Sequence, residues 1–310
     1  MSVERKPVLL PVDGSDQSME VVRYVSRAVD LSRTEVVLLS IIDRAPDIFW
    51  DTGQDPKVNE HLEHMKTWDS YREQRMRECM EESCNILEQA GVPRAAMTCN
   101  IRKRNEGIAR DIICECRCGY SAVAIGRNGL GQMNESMLGS IAAKVFINVA
   151  DAPVCLLGGK PKPGKIMIGL DSSLSAIRAV EFVGRMLNSE GVGVTLTHII
   201  RTPENRIGKP LRASDPGRVV DEREAEMGPV FEKAIMSLSA AGFAPDKIET
   251  MMIEGGGSRA VHLYNEAASG RYGAVVVGRK GVSDVQEFTM GKMPYKLGQI
   301  ARNVALWLVP

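Results

Sequence analysis

Val8-Leu-Leu-Pro-Val-Asp-Gly-Ser15 and Ile166-Met-Ile-Gly-Leu-Asp-Ser-Ser173 decide the fold. Each is a short apolar run that ends in aspartate and small residues. Each leads into apolar positions at helical spacing: Val21, Val22, Val25, Ala28 and Val29 after the first, Ala176, Ala179, Val180 and Val183 after the second. Such a run reads as a buried strand, and the spacing that follows reads as one face of a helix. Asp13 and Asp171 stand 158 positions apart. A second pair, Ser121-Ala-Val-Ala-Ile-Gly-Arg-Asn-Gly129 and Gly273-Ala-Val-Val-Val-Gly-Arg-Lys-Gly281, repeats with Gly126 and Gly278 separated by 152 positions. The chain of 310 residues is therefore two similar units, the second shorter by a net six residues between these landmarks.

Working outward, strands are expected near 8–13, 35–42, 96–101, 121–126 and 153–157 of the first unit, with helices near 16–32, 70–90, 106–117 and 139–149. The strands are near-continuous apolar runs, as in a parallel sheet covered on both faces. Strand and helix alternate, which implies an α/β fold: two tandem doubly wound domains with right-handed crossovers. Ligands in such sheets bind at the carboxyl ends of the strands, where strand order reverses. Leu157-Gly-Gly-Lys-Pro-Lys-Pro-Gly-Lys165 interrupts any regular element and reads as a linker, so the domains are expected at 1–160 and 161–310. Residues 43–69, with Pro46, Trp50, Gly53, Pro56 and Trp68, read as the loosest stretch of the first unit, matched by about 201–222 in the second.

Composition narrows the function classes. Basic and acidic residues number 39 each, which argues against a polyelectrolyte binder of nucleic acid. Aromatics are only 5%, too few to favour base-stacking platforms. The longest strongly apolar stretch, Val36–Ile42, is far short of the roughly 20 residues a membrane-spanning helix needs. No signal peptide is visible, and seven cysteines make no disulfide scaffold, so a soluble cytoplasmic protein with reduced thiols is expected.

The chemistry-bearing motif follows the fourth strand. Gly126-Arg-Asn-Gly129 is followed by nine residues and then Gly139-Ser140, a G-x2-G-x9-G-S pattern; Gly278, Gly281, Gly291 and Lys292 repeat the spacing. Glycines allow close backbone approach, free amides in such a loop form an anion nest, and the following helix start adds unpaired donors and the positive dipole end. The pattern reads as a phosphate site with Ser140 as a hydroxyl donor. It also reads, more plainly, as two turn glycines and a helix cap. Asp13 and Asp171 likewise read either as ligand groups or as strand-end or helix-capping carboxylates.

In combination and order, Asp13, Asp171, Leu38-Leu-Ser-Ile-Ile-Asp43 and the two glycine motifs resemble the universal stress protein family, in a tandem two-domain, UspA-like form. The resemblance covers nearly the whole chain. It implies, per domain, a five-stranded parallel sheet of order 3-2-1-4-5 with helices on both faces. It also implies an ATP-binding cytoplasmic stress-response or regulatory protein. Asp13 and the Ile41 backbone would hold adenine. Gly126, Gly129, Gly139 and Ser140 would hold ribose and phosphates, with Pro11, Val12, Arg127 and Ile141 among the contacts and Mg2+ or Mn2+ on the phosphates. Asp171, Ile199, Gly278, Gly281, Gly291 and Lys292 are the matching positions of the second domain, where Lys292 replaces a hydroxyl. Lys292 reads two ways, as a point charge for phosphate or as a group that fills and neutralises the pocket. Pairing between Pro153–Leu157 and Ala305–Val309 within one chain, a homodimer, and an unidentified regulatory protein are the implied partners. The other readings are a nucleotide-free adaptor and a weak ATPase or autophosphorylating protein.

Other signals are weak. Gly159-Lys-Pro-Lys-Pro-Gly-Lys165 has the glycine and lysine of a P-loop, but Ile166 follows, two prolines remove amides, and a strand comes next instead of a helix. His61-Leu-Glu-His64 lies in a polar stretch and reads as surface. His198 reads as a strand-end packing or hydrogen-bonding residue, and His262 falls in a helical pattern. Cys114, Cys116 and Cys118 have no counterpart in the second unit and read as packing, with metal or redox roles the lesser reading. The sixteen methionines read mainly as core filling. No G-x-S-x-G elbow is present, and no catalytic residue is assigned.

Overall fold

The structure, a computed structural model, describes residues 5–32, 34–43, 56–130, 137–201, 216–281 and 290–310. The first domain runs β1 (Arg5–Pro11), α1 (Asp16–Ala28), β2 (Thr34–Ile42), α2 (Pro56–Gln89), β3 (Met97–Lys103), α3 (Ile108–Cys116), β4 (Ala122–Gly126), α4 (Ser140–Asn148) and β5 (Val154–Leu157). The second repeats it: β6 (Lys165–Gly169), α5 (Leu174–Met186), β7 (Gly193–Arg201), α6 (Pro216–Ala240), β8 (Ile248–Gly255), α7 (Arg259–Ser269), β9 (Ala274–Gly278), α8 (Lys292–Ile300) and β10 (Ala305–Val309). In each, the strand order is the expected 3-2-1-4-5, and every pairing within a domain is parallel.

The two sheets are one. β5 and β10 pair antiparallel, with Ala305 opposite Leu157 and Trp307 opposite Cys155, so ten strands run β3-β2-β1-β4-β5-β10-β9-β6-β7-β8. This is the intramolecular pairing the resemblance implied. The inner strands are buried on both faces, the outer strands β3 and β8 only in part, and the two hydrophobic cores follow the faces of the sheet across both domains. One core joins α1, α2, α5 and α6 around Trp307. The other joins α3, α4, α7 and α8. Trp307 is fully buried, tilted against Phe182 of α5 at 5.0 Å between ring centres, with its indole N–H 3.4 Å from the Tyr24 hydroxyl of α1.

The sharpest feature of the seam is a reciprocal pair of buried arginines. Arg127, just past β4, donates to the carbonyls of Gly298 (2.7 Å), Gln299 (2.6 Å) and Ala301 (2.8 Å) at the end of α8. Arg279, just past β9, donates to Val149 (2.7 Å) and to Ile147 at the end of α4. Each guanidinium meets the negative end of the other domain's helix and the carbonyls that end leaves unpaired. Burial lowers both guanidinium pKa values, but arginine keeps its charge at neutral pH. Between these ends α4 and α8 touch closely: a Cβ on Gly298 would lie 2.7 Å from the Phe146 ring.

Two element boundaries differ from the sequence reading. α1 stops at Ala28, short of residue 32, because the next residues bind the other domain: Asp30 N–H donates to Met186 and Asn188 N–H to Ala28. α2 starts at Pro56, so 56–69 is helix and not loose chain, while 44–55 lies outside the described residues. Proline suits a first helical turn, and Val58, Leu62 and Met65 follow it at helical spacing among polar residues. Among the described side chains the buried stripe runs through Met76, Met80, Ser83, Cys84 and Leu87, while Trp68 and Tyr71 are exposed.

A shared sheet and shared cores predict one cooperative urea transition for the whole chain. Arg127→Met and Arg279→Met should each lower stability by about 2 kcal/mol, because buried carbonyls lose their donors. Two separate transitions in the unaltered chain, or unchanged midpoints in both variants, would contradict this account.

Candidate functional site

In the first domain the strand order reverses between β1 and β4. Asp13 follows β1 and the glycine loop follows β4, so both lie in the crevice at that switch point. Asp13 is half-buried and its two oxygens do different work. Oδ1 accepts from the Ser15 amide (3.0 Å) and hydroxyl (2.6 Å). Ser15 in turn caps α1 by accepting from the Ser18 amide at 3.1 Å, so the cap is the serine, not the aspartate. Oδ2 faces the glycine loop and accepts the Leu130 amide at 3.3 Å. A Cβ on Gly129 would collide with that same oxygen. The chain reaches this geometry through Gly14, whose φ of +81° turns β1 into α1.

Ile41 lies near the end of β2, beside the crevice. The Leu39 carbonyl accepts from Val12 N–H at 2.8 Å, and the Ile42 carbonyl accepts from Arg104 N–H at 2.9 Å. Alternate residues of a strand face alternate neighbours, so Ile41 turns its peptide toward the β1 side, beyond the point where β1 has ended. Pro11 and Val12 are buried in the floor beneath. At the far side α4 begins at Ser140, with Gly139 as its N-cap residue and no capping side chain among the described residues. Ser140 and Ile141 are exposed. The first amides of a helix have no partner within it.

Arg127 does not belong to this set. Its amide donates to Leu157 (2.8 Å), its carbonyl accepts from Gly139 (2.9 Å), and its side chain is the clamp on α8. The arginine of the G-R-x-G motif is thus an interdomain residue. The same bond commits the Gly139 amide. Gly126 has a packing reason of its own: a Cβ there would lie 2.9 Å from the Gln17 side chain. Gln17, which sequence reading passed over, donates to the carbonyls of Leu157 and Gly159 (both 3.2 Å) and ties the first turn of α1 to the end of β5. Only its place beside the Asp13-Gly-Ser15 turn marked it in the sequence.

The second domain rebuilds the frame with different chemistry. Asp171 accepts the Ser173 amide at 3.0 Å, and a Cβ on Gly281 would lie 3.1 Å from its Oδ2. Gly278 is pressed on the first turn of α5: a Cβ there would lie 2.7 Å from Ser175. Ile199 is buried at the strand end. His198 Nδ1 lies 2.7 Å from the Leu170 carbonyl, a strand-end hydrogen bond as its sequence position suggested. Gly291 caps α8 through its backbone, and Lys292 is exposed at the first helical position.

A family model described as "Universal stress protein family" matches residues 4–157. The chain belongs to the universal stress protein family. Among curated relatives, a universal stress protein of Mycolicibacterium smegmatis is 22% identical over 198 residues, 62% of this chain and 63% of that protein. The chain thus spans just under two thirds of that relative's length. Universal stress protein Sll1654 of Synechocystis is 25% identical over 154 residues, 49% of this chain and 85% of that protein. Among solved structures, a universal stress protein from Archaeoglobus fulgidus has a TM-score of 0.60 at 17% identity, covering 98% of this chain and 97% of that one. A functionally unknown Pseudomonas aeruginosa protein, PA1789, has a TM-score of 0.56 at 11% identity, with 98% and 92% covered. These two likenesses speak to the fold, and they show that the tandem arrangement is shared end to end. No helix among the described residues of this universal stress protein is long and apolar enough to cross a membrane.

The cysteine run sorts by burial. Cys116 is buried on α3 and burial, then the Glu115 carboxylate, push its thiol up to about 12; Cys114 and Cys118 are exposed. No group of three or more metal-ligating side chains occurs among the described residues. The side chains of His61 and His64 lie outside the description. Iodoacetamide at pH 8 should therefore alkylate Cys114 and Cys118 in the folded protein and spare Cys116. Equal labelling of all three in a peptide map would overturn this.

Proposed function

We propose that this universal stress protein is an ATP-binding regulatory protein whose nucleotide site lies in the first domain. The observation that carries the reading is the contact of Asp13 Oδ2 with Gly129 and the Leu130 amide at the strand-order reversal. It closes a crevice whose two ends differ in charge. The carboxylate end suits the exocyclic amine of adenine, beside the outward-turned peptide of Ile41 and the floor of Pro11 and Val12. The α4 end suits phosphate: Ser140 brings a hydroxyl, and Ser140 and Ile141 bring helix-start amides. Gly129 lines the loop between them, and Gly126 and Gly139 shape it. A divalent cation, Mg2+ or Mn2+, would neutralise phosphate charge. Arg127 is left out, since its polar groups are committed to the fold.

Leu130, Met137 and Ile141 are exposed at the rim of this crevice. In the nucleotide-bound state they form the surface offered to a regulatory protein partner in the cytoplasm. The second domain supports a second reading for itself, a nucleotide-free scaffold, because Lys292 puts an ammonium where Ser140 puts a hydroxyl.

Calorimetry with Mg-ATP, together with assay of nucleotide released on denaturing the purified chain, tests the site. One nucleotide per chain is expected. Gly129→Val should abolish binding with an unchanged circular dichroism spectrum and melting temperature, because its side chain displaces the Asp13 carboxylate. Full affinity in folded Gly129→Val overturns the assignment. Lys292→Ser in the intact chain should raise the stoichiometry toward two if the lysine alone silences the second domain.

A further inference from the structure

We propose that Cys84 and Cys99 form an oxidation site, a dithiol that hydrogen peroxide converts to an internal disulfide. Cys84 lies on the buried stripe of α2, and Cys99 is an exposed residue of the outer strand β3 on the face that turns Met97 and Ile101 toward α2; their sulfurs are 3.2 Å apart. A disulfide needs about 2.05 Å, so closure asks for a shift of about 1 Å in two short side chains. A polar clamp holds the two elements in register. The guanidinium of Arg94, three residues before β3, donates to Glu81 (2.5 Å), Asn85 (2.7 Å) and Glu88 (3.2 Å) of α2. These α2 residues bracket Cys84, so thermal opening of the α2–β3 seam is opposed where the thiols meet.

The other cysteines lack this arrangement. Cys79 faces the Met19 thioether at 3.3 Å, Cys155 is sealed in the sheet, and Cys114, Cys116 and Cys118 point to different surroundings. The exposure of Cys99 makes it the sulfur that meets the oxidant, and the burial of Cys84 makes it the resolving sulfur. In the first step the Cys99 thiolate attacks one peroxide oxygen. The O–O bond breaks, Cys99 becomes the sulfenic acid, and hydroxide leaves to be protonated by solvent. In the second step the Cys84 sulfur attacks the Cys99 sulfur. The S–O bond breaks, and the oxygen leaves as water with the proton of Cys84. The two thiols lose two electrons and two protons, and peroxide is reduced to two waters.

The groups around Cys99 set its pace. Burial, the hydrogen bond shared with Cys84 and the charges of Cys84 and Glu81 push the thiol up to about 12, and only Arg94 opposes them. The reactive thiolate is scarce at neutral pH, so the rate should climb about tenfold per pH unit between pH 6 and 9. Cys84 lies two turns along α2 from Met76, which packs 3.7 Å from the Cβ position of Gly14 beside Asp13. Oxidation therefore anchors the helix that walls the Asp13 turn.

The test is a peptide map of the full chain after hydrogen peroxide, alkylated without reduction. The expected product is a linked peptide joining Cys84 to Cys99, two hydrogens lighter than the thiol pair and lost on adding dithiothreitol. In Cys84→Ser, dimedone should trap the sulfenic acid at Cys99 severalfold more than in the unaltered chain. In Cys99→Ser, an exposed and structurally mild change, Cys84 should survive the oxidant as a free thiol. Overturning results are equal dimedone trapping with and without Cys84, oxidation of Cys99 to sulfinic acid with Cys84 still free, or recovery of both as free thiols after Cys114 has been oxidised.

Discussion

The rest of the molecule depends on the exchange of arginines across the β5–β10 seam. Arg127 closes the C-terminus of α8 and Arg279 closes the C-terminus of α4, so each domain finishes a helix that the other begins. Four antiparallel residue pairs alone make a short join. The arginines, the Phe146–Gly298 contact and the buried Trp307 turn it into a continuous interior. A buried charge is costly without hydrogen bonds, and here the terminal guanidinium nitrogens find them at carbonyls that the helices had to leave unpaired. That exchange explains why the seam tolerates two guanidinium groups in a core otherwise built mainly from apolar side chains.

The same exchange bears on the crevice. Arg127 stands between Gly126 and Gly129, so the loop that lines the first domain's crevice is held from behind by the second domain. α4 offers its start to the crevice and its end to Arg279. The position of the loop and that of the helix are thus both decided partly outside the domain that contains them. The second domain has kept the frame, with Asp171 against Gly281 and Arg279 in the clamp, while changing the group at the helix start from Ser140 to Lys292. Frame and ligand chemistry can diverge because different atoms carry them: the backbone and the arginine hold the frame, and exposed side chains supply the chemistry.

Much of this was legible in the chain itself. The repeat of the Asp13 and Asp171 strands, the apolar runs and the glycine spacing led to the α/β class and the two units, and the family resemblance they carry implied the strand order that is observed. Three points were not legible. The start of α2 lies in a stretch where Pro46, Gly53 and Pro56 read as loose chain, and Val58, Leu62 and Met65, scattered among polar residues, do not outweigh that signal. The early stop of α1 comes from hydrogen bonds to Met186 and Asn188, more than 150 positions away. Gly126 and Arg127 sit inside a motif that reads as ligand chemistry. In the structure one makes room for Gln17 and the other reaches across the seam.

Local order and repetition therefore followed from the amino-acid sequence by itself: the α/β class, the two units, the carboxylate at the end of each first strand and the glycine loop after each fourth. Those features rest on periodicity and on backbone freedom, which neighbouring residues express. Only the tertiary structure decided which polar groups face the crevice and which are consumed in holding it. A guanidinium can serve a phosphate or a helix end equally well, and the choice depends on which acceptor the fold brings within 3 Å. Here that acceptor is the end of α8, supplied by a segment some 170 residues further along the chain.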